Sequence, residues 1–323
     1  MAPQFRCHGV NTSLHTTIAA APTPLITSDR RIELTSTRQS LPPKPGAKGA
    51  EVHAASVAGS EVQTCLSGGS SVHEAAVMPE NRFVGDIART YDQAVAAMYA
   101  PEVLEPAVDC LADLTEGGRV LEFAIGTGRV ALPLAARGID VSGIELSSDM
   151  LAELRRAPGG AAIRAVEGDM ATTRVEGEFS LVYLVFNTIT NMTTQDEQVT
   201  CFENAARHLV PGGRFVIENG VPALRRLPPG AIGVPFAVTD DHVGLDDFTD
   251  RTHLQIFRSR HFRRTTAGTF EEFSAPFRYV WPSELDLMAR IAGMTLEHRW
   301  AGWDRSPFTG DSPSHVSVWR VPP

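Results

Sequence analysis

The sequence predicts an α/β protein: a three-layer α/β/α sandwich with a mostly parallel seven-stranded sheet, a reversed C-terminal hairpin and an inserted antiparallel β lid. Strand-like and helix-like patterns alternate along the chain after Met78. Residues 179–185 are almost continuously apolar, which is typical of a strand covered on both faces. Residues 234–280 instead show short polar-apolar alternations with no helical pattern between them, which predicts the antiparallel insertion.

Periodicity and Gly/Pro punctuation place the first elements. They are helices over 86–98 and 101–114, a strand over 119–123, a helix over 129–137, a strand over 140–144, a helix capped by Ser147, and a strand over 163–166.

The later elements begin with the apolar strand over 179–185. Thr194 and Glu197 form a T-x-x-E capping box ahead of an amphipathic helix. His208 lies near the end of that helix, where favourable interaction with the helix dipole explains it. The remaining elements are a strand over 214–218, the insertion, a helix capped by Ser283 with Asp286, and strands over 295–300 and 315–321.

Residues 1–77 differ from the rest in composition. They are rich in Ser, Thr, Ala, Pro and Gly without a sustained period, so we expect a disordered N-terminal extension ahead of a folded domain over 78–323. Lys44 and Lys48 are the only lysines, and all later basic residues are arginines. One hypothesis is that Met78 is the true start of the protein. The alternative is a genuine flexible tail or a transit peptide.

Composition narrows the possible partners. The chain has 323 residues, 43% of them hydrophobic, and a net charge of -9, which argues against a nucleic-acid partner because phosphate binding needs a basic excess. No stretch has the ~18 to 20 apolar residues that span a membrane, so we expect a soluble, cytoplasmic protein that binds a small molecule. The four cysteines form no CxxC pair and no metal site is predicted. Nothing in the sequence predicts an oligomeric state.

The glycine-rich turn after the first strand is the most informative motif. It runs from Glu122 through Ala124, Gly126 and Gly128, and combines a strand end, a tight turn and a helix start. Such a turn lets a ligand approach the backbone and presents helix N–H groups to it. It also matches the dinucleotide fingerprint, with Glu145 as ribose-binding acid, so an NAD-dependent oxidoreductase is one interpretation. Glu122 argues against it, because a carboxylate repels pyrophosphate and attracts an ammonium group.

Further motifs follow the later strands. Gly168-Asp169-Met170 follows the third strand, Phe186-Asn187 follows the fourth, and Pro211-Gly212-Gly213 leads into the fifth. With this order and spacing, the chain from about Phe83 to Val321 resembles the class I (Rossmann-like) S-adenosylmethionine-dependent methyltransferases, in particular small-molecule enzymes of GC-rich bacteria. The resemblance implies transfer of a methyl group from S-adenosylmethionine to N or O of a small molecule in specialised metabolism. A cofactor-binding regulatory protein without turnover is the other alternative.

The resemblance also implies a cofactor site. It assigns Glu122, Ala124, Gly126 and Gly128 to the methionine moiety, Tyr91 to its carboxylate, Glu145 to both ribose hydroxyls, Asp169 and Met170 to adenine, and Leu146 and Phe186 to the same cofactor site. Ala124 departs from the family, which usually has a glycine there; its methyl group narrows the turn without forbidding the backbone conformation.

The acceptor side is less determined. An alcohol needs a general base whereas an amine only has to arrive neutral, so His253 and His261 are candidate bases, with exposed strand histidines as the alternative interpretation. Asn187 is a candidate acceptor contact because it follows a central strand. Trp281, Trp300 and Trp303 could form an aromatic wall over the substrate, or pack in the core and at a hinge. Asp240-Asp241-His242 is interpreted as a polar turn rather than a metal site.

Overall fold

The computed structural model describes residues 81–222, 224, 227–228, 230–248 and 255–323. The predicted N-terminal extension and its alternatives therefore lie outside the described residues. The helices are α1 Asp86–Ala94, α2 Pro101–Leu114, α3 Ala131–Ala136, α4 Ser148–Arg156, α5 Gln195–His208 and α6 Pro282–Ile291. The strands are β1 Val120–Phe123, β2 Val141–Glu145, β3 Arg164–Glu167, β4 Phe179–Leu184, β5 Leu209–Gly220, β6 Gly233–Val238, β7 His242–Asp247, β8 Ile256–Arg264, β9 Phe270–Arg278, β10 Thr295–Trp300 and β11 Ser314–Arg320.

Seven strands form the main sheet, in the order β3-β2-β1-β4-β5-β11-β10. β1 to β5 pair in parallel, and β11 is antiparallel to both β5 and β10. The order reverses between β1 and β4, and in open α/β sheets ligands bind outside the carboxyl ends of the strands at such a switch point. The predicted fold class is confirmed.

Helices cover both faces of this sheet. On one face, side chains of α2, α3 and α4 pack in a core with Val120, Leu181, Tyr183 and Val216. On the other face, α5 and α6 pack over a second core that includes Trp319. Strands covered on both sides read as continuous apolar runs because neither face meets water, which is why residues 179–185 were recognisable.

The remaining four strands form a separate antiparallel sheet, β6-β7-β8-β9, as the alternating pattern predicted. β9 packs against a short 3-10 turn over Thr188–Asn191, which follows β4. Arg82 Nη1 also donates to the carbonyl of Pro276 at 3.4 Å. The antiparallel sheet thus lies beside the carboxyl edge of the main sheet.

Two of the three predicted helix caps are present. Ser147 caps α4, because its hydroxyl accepts a hydrogen bond from Met150 N at 3.3 Å. Thr194 and Glu197 form the complete capping box of α5. The prediction for α6 is wrong: Trp281 occupies the N-cap and no side chain caps the helix. Pro282 suits the first helical position, where its missing N–H costs nothing, so the helix begins ahead of Ser283.

His208 also differs from its predicted role. It is buried, its Nε2 accepts a hydrogen bond from Val175 N at 3.0 Å, and its Nδ1 lies 2.8 Å from the carbonyl of Asn204. Burial lowers the pKa of His208. The interaction that holds this histidine is therefore hydrogen bonding of a neutral ring, and not attraction of an imidazolium to the helix dipole. No helix within the described part of the chain has the length and apolar character of a membrane span.

Candidate functional site

The turn between β1 and α3 is held in left-handed backbone conformations. Ala124, Gly126 and Gly128 have φ values of 52°, 58° and 88°. A Cβ on Gly128 would lie 2.5 Å from Leu154 Cδ1, so this position needs glycine for close packing on α4. Ala124 adopts the left-handed region in spite of its methyl group, which costs of order 1–2 kcal/mol. The turn is therefore tight and strained at one position.

Glu145, at the end of β2, is tied to this turn. Its Oε2 accepts a hydrogen bond from Gly126 N and its Oε1 accepts one from Ser147 N, both at 2.9 Å. Burial raises the pKa of Glu145, and these backbone donors oppose that rise. Each carboxylate oxygen can accept a second hydrogen bond. Glu145 thus stabilises the turn and keeps acceptor capacity for two hydroxyl groups.

Glu122 is buried near the end of β1. The hydroxyl of Tyr183 on β4 donates to its Oε2 at 2.7 Å, and burial raises the pKa of Glu122 to about 8. Arg129 lowers this pKa in part, and its guanidinium lies 5.1 Å from the centre of the Phe186 ring. Sequence reasoning placed Arg129 in a helix and missed its contribution to the site. The sequence feature that could have indicated this role is a basic residue directly after the glycine turn.

The third strand end carries the residues predicted to contact adenine. Asp169 Oδ1 accepts a hydrogen bond from Ala171 N at 2.8 Å, and burial raises the pKa of Asp169. Met170 packs against the second core and Leu146 is partly buried next to Glu145. These residues therefore follow β2 and β3 at the same edge of the sheet as the glycine turn.

The N-terminal helix α1 is linked to the turn by a cluster that the sequence did not predict. Thr127 Oγ1 and Tyr99 Oη both donate to Asp92 Oδ1, each at 2.7 Å. The neighbouring Tyr91 packs edge-on against Phe83 with ring centres 5.8 Å apart. Asp92 and Thr127 lie 35 positions apart, so no local pattern could have paired them. The cluster brings α1, and with it Tyr91, to the side of the glycine turn.

The bend after β4 consists of two residues in the left-handed region. Phe186 and Asn187 have φ values of 61° and 59°. Phe186 N donates to Glu218 Oε2 at 2.9 Å, and Asn187 Oδ1 accepts from Gly220 N at 2.5 Å. Strained backbone of this kind persists where the surroundings hold it, often at ligand sites. Glu218, which sequence reasoning treated only as the end of a strand, thus anchors the bend.

Of the two candidate histidine bases, His261 alone lies within the described residues. His253 lies outside the described residues. His261 lies on β8, is buried rather than exposed, and its Nδ1 is 3.1 Å from His242 Nε2 with the two rings almost parallel. Asp241 lies in the predicted polar turn, where its Oδ1 accepts from Thr239 Oγ1 at 2.7 Å.

Trp281 and Trp303 occupy separate parts of the molecule. Trp281 precedes α6, and Trp303 packs against the first core beyond β10. Their rings are not in contact with each other. The aromatic wall over the substrate stays a prediction.

The edge of the sheet fits a cofactor with a positive methionine end and a nucleoside. The glycine turn offers a close backbone approach, while Glu122, Glu145 and Asp169 lie at or just beyond the ends of three neighbouring strands. A pyrophosphate would be repelled here, whereas an ammonium or sulfonium group and ribose hydroxyls would be bound.

Comparison with known proteins agrees with this chemistry. The family profile described as "Methyltransferase domain" matches residues 120–213. The chain is similar to the CcbJ methyltransferase of Streptomyces caelestis, with 37% identity over 68% of this chain and 89% of that chain and a TM-score of 0.61. The protein therefore belongs to the class I S-adenosylmethionine-dependent methyltransferases, as predicted, and S-adenosylmethionine is its cofactor.

Other relatives cover less of the chain or are more distant. The dTDP-3-amino-3,6-dideoxy-alpha-D-glucopyranose N,N-dimethyltransferase of Streptomyces fradiae is 32% identical over 43% of this chain and 55% of its own length. A methyltransferase structure from Clostridium acetobutylicum, at 14% identity with a TM-score of 0.57, shares the fold. The matched stretches span only about half the length of the curated relatives, from 44% to 55%.

Proposed function

We propose that this protein transfers a methyl group from S-adenosylmethionine to an amino nitrogen of a small molecule, with an amino sugar as the acceptor class. The observation that carries the proposal is the acidic carboxyl edge of the main sheet, where Glu122, Glu145 and Glu218 are all buried. Carboxylate oxygens accept hydrogen bonds from the N–H groups of an amine. Two curated relatives are named as N,N-dimethyltransferases of dTDP-amino sugars, which supports nitrogen over oxygen.

On this proposal, residues at three strand ends bind different parts of the cofactor. Around the methionine end lie Glu122, the turn residues Ala124, Gly126 and Gly128, and Tyr91 from α1; around the ribose lie Glu145 and Leu146; around adenine lie Asp169 and Met170; Phe186 covers the reacting end. When bound, the cofactor would supply an electrophilic sulfonium methyl group and a thioether as its leaving group. The protein's task is to orient the acceptor in line and exclude water.

The acceptor would bind between the bend at Asn187 and the antiparallel sheet, which we propose acts as a lid. β9 packs on the turn that follows Asn187, so the two sheets enclose this edge. The overall charge of -9 favours a small molecule over a nucleic acid.

A methyl-transfer assay tests the proposal. The protein is incubated with S-adenosylmethionine labelled in the methyl group and dTDP-3-amino-3,6-dideoxyglucose, and the label in the sugar is counted. The matched control is the same sugar nucleotide with a hydroxyl in place of the amino group. We expect label in the amino sugar alone. Label only in the hydroxyl sugar would make the enzyme an O-methyltransferase, and label in neither would reject amino sugars as the acceptor class.

A further inference from the structure

Glu218 lies on the face of the sheet that carries the methionine-side residues. On the main sheet, Glu122 pairs with Tyr183, and Tyr183 pairs with Val216. Residues two apart on a strand point to the same face, so the side chain of Glu218 lies on that face too. It is one pleat nearer the carboxyl edge, roughly 7 Å further along, beside the switch point where ligands bind.

The carboxylate of Glu218 has an unusual set of partners for a buried acid. Its exposed fraction is 7%. One oxygen, Oε2, accepts a hydrogen bond from Phe186 N at 2.9 Å. The other oxygen has no hydrogen bond or ion pair within the part of the chain that the structure describes, and it is not completely shielded from solvent. Buried carboxylates are normally paired or fully hydrogen-bonded, so this oxygen points to a ligand that donates an N–H or carries positive charge.

The backbone bend that Glu218 holds lies at the same carboxyl edge of the main sheet. Phe186 and Asn187 are both in the left-handed region, and Asn187 N donates to the carbonyl of Glu218 at 3.2 Å. The strained bend and the carboxylate therefore form one rigid unit. A charge fixed in this way needs no reorganisation when a ligand's charge changes, which is the condition for effective electrostatic stabilisation.

We propose that Glu218 is a catalytic residue that binds the acceptor nitrogen: its free oxygen accepts an N–H of the amine and its charge offsets the positive charge that the nitrogen gains on methylation. The proposal deepens the proposed function and rests on it. A neutral amine becomes a cation when the new N–C bond forms, and a carboxylate in hydrogen-bond contact favours that change. Oε2 meanwhile keeps Phe186 in place, so the same side chain aligns the bend and the acceptor.

The test uses two cofactor analogues, so it does not depend on the acceptor. Sinefungin carries an ammonium group on carbon in place of the sulfonium methyl, and S-adenosylhomocysteine has neither. Dissociation constants for both are measured by calorimetry for the wild type and for Glu218→Gln, whose amide oxygen still accepts the Phe186 N–H. We expect the variant to bind sinefungin roughly 10- to 100-fold more weakly and S-adenosylhomocysteine within about twofold of the wild type.

The control is Glu178→Gln, an exposed glutamate at the opposite end of the β4 region, which should change neither constant. If Glu218→Gln weakens the binding of both analogues equally, Glu218 only supports the fold. If it weakens the binding of neither, Glu218 lies away from the transferred methyl group. Either outcome overturns the proposal. If sinefungin discrimination depends on Glu218 but amino sugars are not methylated, the ammonium site stands and the proposed acceptor class fails.

Discussion

The interiors of the two sheets are filled differently. Large apolar side chains such as Trp319 and Phe202 form a core against the main sheet, with a few buried polar groups such as His208 among them, and buried acids lie at its carboxyl edge. The antiparallel sheet buries polar groups within it, among them the His242–His261 pair. Its attachment to α5 and α6 is also polar, through Arg278. The difference teaches that the main sheet is stable through its own core, whereas the position of the antiparallel sheet depends on a few buried hydrogen bonds and ion pairs.

The largest expected effect concerns the main sheet and pH. Burial raises the pKa of Glu122 from its ordinary 4.5 to about 8, so the folded protein favours the protonated acid. Its contribution to stability is complete below pH ~4.5 and is lost as pH rises through about 8. The difference corresponds to about 5 kcal/mol. The free energy of unfolding, measured by urea denaturation without cofactor between pH 5 and 9, should fall steeply in the wild type and less so in Glu122→Gln.

Glu178→Gln is the control for this comparison, because Glu178 is exposed and lies away from the carboxyl edge of the main sheet. Parallel pH profiles for the wild type and Glu122→Gln would show that Glu122 is ionised in the folded protein, against the prediction.

The next prediction concerns a variant that removes the polar contacts between the antiparallel sheet and helices α5 and α6. Arg278 is buried, forms an ion pair with Glu284 at 2.5 Å, and donates to Gln198. Burial alone would raise the pKa of Glu284, but hydrogen bonds from Arg278 and Gln255 outweigh it and leave that pKa below its ordinary value. Arg278→Met should cost about 3–4 kcal/mol, at the lower end for a broken buried pair, because Glu284 keeps the donors Gln195 and Gln255.

Hydrogen exchange should separate the two sheets in this variant. Protection should fall in β8 and β9 and remain in β1 and β4. Arg260→Met, which removes partly exposed ion pairs with Glu272 and Asp247 on the same sheet, should cost less than about 1 kcal/mol. Uniform loss of protection across both sheets would contradict the idea that their stabilities differ in origin.

The same contrast explains what the sequence could predict. Helix α2, the strand β4 and the capping box of α5 were recognisable because their signals are spacings of neighbouring residues. The α6 cap was wrong because the Asp286 carboxylate is bonded instead to Arg299 and to Trp319 Nε1, two residues on other strands. The His242–His261 pair and the Asp92–Thr127 bond likewise join separate elements. No local pattern carries such information.

The candidate site divides in the same way. Glu122, Glu145 and Asp169 could be placed at strand ends, because acids directly after apolar strands lie at one edge of a parallel sheet. The roles of Arg129 and Glu218 could not be predicted, because they depend on which face of the sheet each side chain contacts. The sequence therefore locates the acids at one edge of the sheet, whereas only tertiary contacts show how the side chains are arranged there.

A third prediction tests the cofactor side of the main sheet. Glu145→Ala removes the acceptor of the Gly126 and Ser147 N–H groups and of the proposed ribose hydroxyls. We expect affinity for S-adenosylhomocysteine to fall by roughly 1.5 to 3 kcal/mol, measured by calorimetry, with the circular dichroism spectrum preserved. An unchanged dissociation constant would remove Glu145 from the cofactor site.

The smallest expected effect concerns Ala124, the strained residue of the glycine turn. Glycine at φ 52° would relieve of order 1–2 kcal/mol of left-handed strain, while the freer unfolded chain would cost about 0.5–1 kcal/mol. Ala124→Gly should therefore raise the free energy of unfolding by about 0 to 1.5 kcal/mol. Ala152→Gly, inside α4, is the matched control and should destabilise by about 1 kcal/mol. If both variants lose the same stability, the turn is not strained at Ala124, and its backbone tolerates alanine as freely as a helix does.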